Sequence, residues 1–245
     1  MSVDLSAVDE TAAAAVRTFW ASRSSASAAS RLVGGGTRGA VLAGKNMDGF
    51  QALVRAVTVT NGLPAEAVYS SVEEKGRRGT VLPGFYRPLK NWDVLVVWRD
   101  ELVAAVELKS QVGSLGNNFN NRAEEAVGMG EDVRVAYREG LLGDTARPFV
   151  GYLMLLQDSA GSTRPVGLGA HHFQADPVFE GASYAERYQA MCTRLMREGL
   201  YDSAALVLSN AASAESGTYR TLSEPTGLRS FCARLAARVS EVAAR

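Results

Sequence analysis

The chain has 245 residues, 47% of them hydrophobic and 21% charged, with 26 basic side chains against 26 acidic ones and two cysteines. Those figures fit one globular domain large enough to bury a core, and they exclude a coiled coil, a disordered tail and a disulfide scaffold. No apolar run approaches the ~18 residues that cross a bilayer, and Met1–Glu10 carries acids where a leader would start with bases, so a cytoplasmic protein is expected.

In chain order, Asp9 to about Ser30 reads as an Ala-rich helix entered by acids, with Val16, Phe19 and Trp20 on its buried side, and Gly34-Gly35-Gly36 breaks it. Met47, Phe50, Leu53, Val54 and Val57 recur at helical spacing, with Asp48, Gln51 and Arg55 elsewhere around the helix, and predict a second helix from Met47 to about Thr58. Asn61-Gly62-Leu63-Pro64 ends it. Val68 to Val72 predicts a short strand. Between Glu74 and Asp93 the chain then carries Lys75, Arg77, Arg78, Arg87 and Lys90 with no acid among them. These five suit phosphate contacts, and they equally suit a solvated basic loop. Zero net charge does not decide between the two, because a local basic face can sit on an acidic body.

Asp93–Trp98 and Leu102–Lys109 are β-rich runs around the polar Arg99-Asp100-Glu101, and together they predict a hairpin. Both faces are apolar, which places the two strands in the middle of a covered sheet. Asn117 to Asn121 reads as a polar loop leading into a helix over 122–138, and Phe149 to Leu156 as another buried strand. A loop over 157–172, a helix over 184–198, a short apolar segment at Ala204–Leu208 and a last helix over 227–245 complete the chain. Strands interleaved with helices give an α/β or α+β fold.

The chemistry sits in the hairpin. With Arg99-Asp100-Glu101 as a three-residue loop, Trp98 faces Leu102, and counting outward sets Asp93 opposite Glu107. Directly opposed residues project from the same face with Cβ atoms ~4.5–5.5 Å apart, and Lys109, two residues beyond Glu107, shares that face. Two carboxylates so close repel and raise one pKa unless a cation lies between them. A hard divalent ion, Mg²⁺ above all, is the natural partner, since it takes one or two carboxylates together with water and phosphate oxygens. A one-residue slip in the loop would spoil the arrangement. The plainer reading makes Lys109 a strand-end lysine paired with Glu107.

Asp93 followed by Glu107-Leu108-Lys109 resembles the PD-(D/E)XK nuclease superfamily, with Trp92 where a Pro often precedes the acid. The segments Gly84–Asp93, Ala105–Ser114, Gly116–Gly128 and Gly151–Gln157 resemble the XhoI-type family of type II restriction endonucleases, and the resemblance covers almost the whole chain. It implies a restriction-endonuclease-like core, a central mixed β-sheet with helices on both faces, in a single domain. Within that domain 1–35 is expected to be an N-terminal helical segment, 47–160 the catalytic core and 180–245 a C-terminal helical part. It further implies a homodimer that cuts both strands of double-stranded DNA within the palindrome CTCGAG using Mg²⁺, leaves 5′-phosphates, and is paired with a cognate DNA methyltransferase.

In that frame Asp93, Glu107 and the Leu108 carbonyl hold the metal, and Lys109 positions or deprotonates the attacking water, which an Arg could not do. Asn117, Asn118, Asn120, Asn121 and Arg122 are the candidate recognition segment, since Asn pairs bidentately with adenine and Arg with guanine in the major groove. An Asn-rich turn with a helix cap accounts for any single Asn as simply. Asp48, Glu124 and Glu125 are possible supporting acids. Gly39–Lys45 fits G-x-x-x-x-G-K, but Asn46 stands where a hydroxyl should reach Mg²⁺ and no strand precedes it; His171-His172 lacks a third zinc ligand. The competing functions are a non-cleaving DNA-binding protein of the same fold and a structure-selective repair or junction nuclease.

Overall fold

The computed structural model describes residues 3–32, 47–70, 77–169 and 172–245. The Gly34–Gly36 break, the Gly39–Lys45 motif, Lys75 and His171 lie outside the described residues, as do the side chains of Arg77, Arg78 and Asn117.

Helix α1 (Val8–Leu32) buries Val16, Phe19 and Trp20, and α2 (Asp48–Thr60) buries Phe50, Leu53, Val54 and Val57, as the spacing predicts. Gln51 departs from expectation, since it is buried within the apolar stripe of α2. Strand β1 (Val68–Ser70) follows, and then a small two-stranded sheet of β2 (Val81–Pro83) and β3 (Leu89–Asn91) that the sequence reading had left as a basic loop. The remaining elements are β4 (Val94–Trp98), β5 (Glu101–Gln111), α3 (Leu115–Arg138), β6 (Phe149–Gln157), the short α4 (Ala160–Thr163), α5 (Tyr184–Arg197), β7 (Ser203–Ser209), the short α6 (Ser213–Ser216) and α7 (Leu228–Ala243).

Strands β1-β4-β5-β6-β7, in that order, form one mixed sheet: β1/β4 and β4/β5 are antiparallel, β5/β6 and β6/β7 parallel. The apolar segment at Ala204–Leu208 is thus a full strand, and the expected C-terminal helical part contributes to the sheet. The side chains of β6 and β7 alternate between its two faces. Phe149, Leu153, Leu155, Ala205 and Val207 enter one core with α1, α2 and α7, while Val150, Tyr152, Met154, Leu156, Ala204, Leu206 and Leu208 enter a second core with α3 and α5. Two packed faces explain why these strands read as unbroken apolar runs. This is the α/β sheet with helices on both faces that the sequence led us to expect.

The β4–β5 hairpin reaches its expected end by an unexpected route. Its turn has two central residues, Arg99 (φ 49°) and Asp100 (φ 62°), and pairs Trp98 with Glu101 instead of Leu102. Left-handed φ at both central positions is the geometry that two-residue hairpin turns require. The register then shifts between Val96 and Val97, with Val97 opposite Leu102 and Val96 opposite Ala104, so Val103 is an extra residue in β5. Val103 and Ala104 accordingly pack into the same core, against the usual alternation. Beyond the bulge Val94 faces Val106, and the count again sets Asp93 opposite Glu107.

Candidate active site

Glu107 lies in the middle of the sheet, paired across the parallel ladder with Tyr152, and is buried. Its face is that of Leu95, Ala105 and Tyr152, the side covered by α3 and α5. Asp93, just before β4, reaches across so that its Oδ2 accepts a hydrogen bond from the Leu108 amide at 2.8 Å. Lys109 bonds Oε1 of Glu107. The sequence count therefore brought Asp93, Glu107 and Lys109 to one place, and the structure puts them there.

Lys90 differs from expectation. Instead of reaching outward, its ammonium turns into the same cluster, 2.7 Å from Oε2 of Glu107 and 2.6 Å from the Asn91 carbonyl, and it lies 4.9 Å from the Trp92 ring centre. Trp92 is buried in the second core, and its amide donates to the Thr80 carbonyl at 2.8 Å, which anchors β3 beside the site. Both oxygens of Glu107 thus face an ammonium. The electrostatics leave their mark on Asp93, whose carboxyl is pushed up to about 6, first by burial and then by the neighbouring Glu107 charge, against the pull of Lys109, the Leu108 amide and Lys90.

A second buried acid escaped the sequence reading. Asp132 of α3 accepts from the amides of Phe85 (2.9 Å) and Tyr86 (2.8 Å) and from Arg87 Nε (2.6 Å). It clamps the β2–β3 turn, and a side chain at Gly84 would run into its carboxylate, at 2.6 Å from an added Cβ. Burial pushes the Asp132 carboxyl up, but the Arg87 and backbone hydrogen bonds outweigh this and hold it below its ordinary value. Arg87 is consequently tied down at its base rather than extended. The turn it belongs to exposes Phe85 and Tyr86, packed edge to face with ring centres 5.0 Å apart. An acid one residue before Val133, in the helix whose buried residues include Ala126, Met129 and Ala136, was the available signal.

The Asn-rich segment is a correction. Asn117, Asn118, Asn120, Asn121 and Arg122 belong to α3 itself, which starts at Leu115, not to a loop before it. Leu115, Phe119, Ala123 and Ala126 recur at helical spacing and pack on the second core, which outweighs the weak helix propensity of Asn. Asn120 and Asn121 are exposed; Asn118 donates to the Ser114 carbonyl at 2.8 Å. Arg122 pairs with Glu125 at 2.6 Å, while its Nε is buried near the Tyr152 and Tyr188 hydroxyls without a protein partner. Arg77 and Arg78 stand in a short 3-10 turn before β2.

Glu124 is exposed on α3, and Asp48 opens α2, which packs on the opposite face of the sheet. Among the described residues no group of three or more His, Cys, Asp or Glu gathers in a way that could hold a metal, so neither acid joins Asp93 and Glu107. Nor is any helix among them long and apolar enough to cross a membrane.

The family described as restriction endonuclease XhoI matches residues 28–221. The type II restriction enzyme XhoI of Xanthomonas vasicola is 49% identical over 201 residues, covering 81% of this chain and 79% of the relative. The type II restriction enzyme BstVI of Geobacillus stearothermophilus is 42% identical, covering 76% of the chain and 83% of the relative. AbrI of Azospirillum brasilense, also a type II restriction enzyme, is 42% identical and covers 74% and 83%. No solved structure matches. The chain belongs to the XhoI family of type II restriction endonucleases, and is a site-specific deoxyribonuclease.

Proposed function

We propose that this endonuclease is of the PD-(D/E)XK kind and cuts both strands of duplex DNA at the palindrome CTCGAG in a Mg²⁺-dependent reaction. On this reading it acts in the cytoplasm as a two-fold homodimer paired with a cognate DNA methyltransferase. One observation carries the reading: Asp93, Glu107 and Lys109 meet on one face of the β4–β5 hairpin. The donor set fits a hard divalent ion. Two carboxylates lie side by side, one with its proton affinity raised by the other, and the Leu108 carbonyl between Glu107 and Lys109 is a further oxygen.

When bound, the ion would polarise the scissile phosphate and lower the pKa of a water. The protein's own groups do the rest. Asp93 and Glu107 would hold the ion, and the Leu108 amide fixes the Asp93 carboxylate beside Glu107. Lys109, on the strand that carries Glu107, orients the attacking water or takes its proton and offsets charge on the phosphate. Hydrolysis on this pattern leaves a 5′-phosphate and a 3′-hydroxyl.

We assign base reading to Asn117, Asn118, Asn120, Asn121 and Arg122 of α3; Asn120 and Asn121 are exposed, and an Asn amide can pair bidentately with a base edge. Lys75, Arg77, Arg78 and Arg87 serve the phosphates. Matching a palindrome by symmetry calls for a dimer. The test is to digest a plasmid of known sequence with Mg²⁺ and, in parallel, with EDTA, and to sequence the fragment ends. Mg²⁺-dependent ends within CTCGAG are expected. Ends elsewhere reject the site, cutting in EDTA rejects the metal, and a preference for branched over plain duplex points to a structure-selective nuclease.

A further inference from the structure

We propose that Lys90 is the resident counter-cation of the site: it holds Glu107 in the metal-free enzyme and opposes the loading of a metal ion until that ammonium is released. The inference rests on the reading above, in which Glu107 is a metal ligand. Its basis is geometric. Lys109 bonds one oxygen of Glu107 and Lys90 the other, at 2.7 Å, so an ion that takes either Glu107 oxygen shares it with an ammonium and meets a like charge within a few ångströms. Lys109 is fixed two residues along the same buried strand. Lys90 comes from β3, in the separate two-stranded sheet, so its charge is delivered by a different element from the one that carries Glu107.

Its resting place is built. The Asn91 carbonyl accepts from the ammonium at 2.6 Å, the Trp92 ring supports it at 4.9 Å, and only 13% of the side chain is exposed. Two lysines balance two carboxylates, so the free site has no net charge with which to attract a dication. A released ammonium needs an anion, and the DNA backbone supplies one as a phosphate. The β2–β3 turn next to Lys90 presents Phe85 and Tyr86 to the outside. Lys90 is on this view a positioning residue that acts through Glu107.

The test measures Mn²⁺ affinity of the DNA-free protein by calorimetry, with circular dichroism to show that each variant is folded. Lys90→Met keeps an apolar stem against Trp92 and removes the charge. It is expected to bind Mn²⁺ about tenfold tighter than the wild type or more, since a like charge within a few ångströms of the ion is lost. Lys90→Arg, which keeps the charge, should bind as the wild type does. Equal affinity in Lys90→Met and wild type, or equal gains in both variants, overturns the proposal. Lys90→Met combined with Glu107→Gln separates the two ideas: if that double variant binds Mn²⁺ as well as Lys90→Met alone, the ion is not on Glu107 and the underlying reading fails.

Discussion

Two aspartates near the site, Asp132 buried and Asp93 partly buried, show opposite fates of a carboxylate. Asp132 is surrounded by donors, two backbone amides and the Arg87 guanidinium, and is held below its ordinary pKa. Asp93 has one backbone donor and a second carboxylate for a neighbour, and is pushed up to about 6. The first is a finished structural joint, with each oxygen matched by a donor. The second is under-compensated, and that imbalance is what a cation would relieve.

The contrast can be broken first at the partner of Asp93. Glu107→Ala is expected to lower single-turnover cleavage by roughly 10³-fold or more while gel-shift binding of the duplex persists, because several kcal/mol of metal-dependent stabilisation go with it. Cleavage near the wild-type rate would remove Glu107 from the metal site. Lys109→Arg keeps the charge but not the titratable amine, and a loss of about 10²-fold is expected. Full activity would show that the lysine contributes charge alone.

Asp132→Ala tests the structural partner of the comparison. It leaves two amides and an arginine without their acceptor and should cost about 2 kcal/mol in urea unfolding, with the loss discounted because Arg87 is partly exposed. Unchanged stability would mean that the clamp is idle. Asp93→Asn should do the reverse in EDTA. Its carboxyl holds a proton more tightly folded than unfolded, so wild-type stability falls as pH rises from about 4 to about 6 and is level above that. The variant lacks this slope. At pH 8 it should be more stable by about 1–2 kcal/mol, and at pH 4 the two should coincide. A variant less stable at pH 8 would contradict the assigned strain.

How far the sequence could be read follows from the same chemistry. The facing of Asp93 and Glu107 was legible because two departures cancel: the turn holds two residues and not three, and the extra Val103 of the bulge makes up the difference. Gly130 and Tyr201 were not. The helix approaches so closely there that a Cβ at Gly130 would meet the Tyr201 ring at 2.7 Å, and that ring's hydroxyl donates to the Ala126 carbonyl. Nothing in the local spelling announces such a contact. The inward turn of Lys90 was not legible for a similar reason, since a basic run names its charges but not the direction in which the β2–β3 sheet folds each one. The Asn run looked like a loop because polarity was weighed above the Leu115, Phe119 and Ala123 spacing that makes it helical.

The parallel register of β5, β6 and β7 has a consequence for the order of folding. The β4–β5 hairpin closes through a two-residue turn, so its contacts are local and form fast, whereas β6 pairs with β5 only after the whole of α3 has been made. During synthesis Asp93, Glu107 and Lys109 therefore come together early but in water. The burial that raises the Asp93 carboxyl arrives only when α3 and β6 dock and Tyr152 closes over Glu107. The nascent chain holds these three side chains in order well before it has the dry setting of the folded sheet.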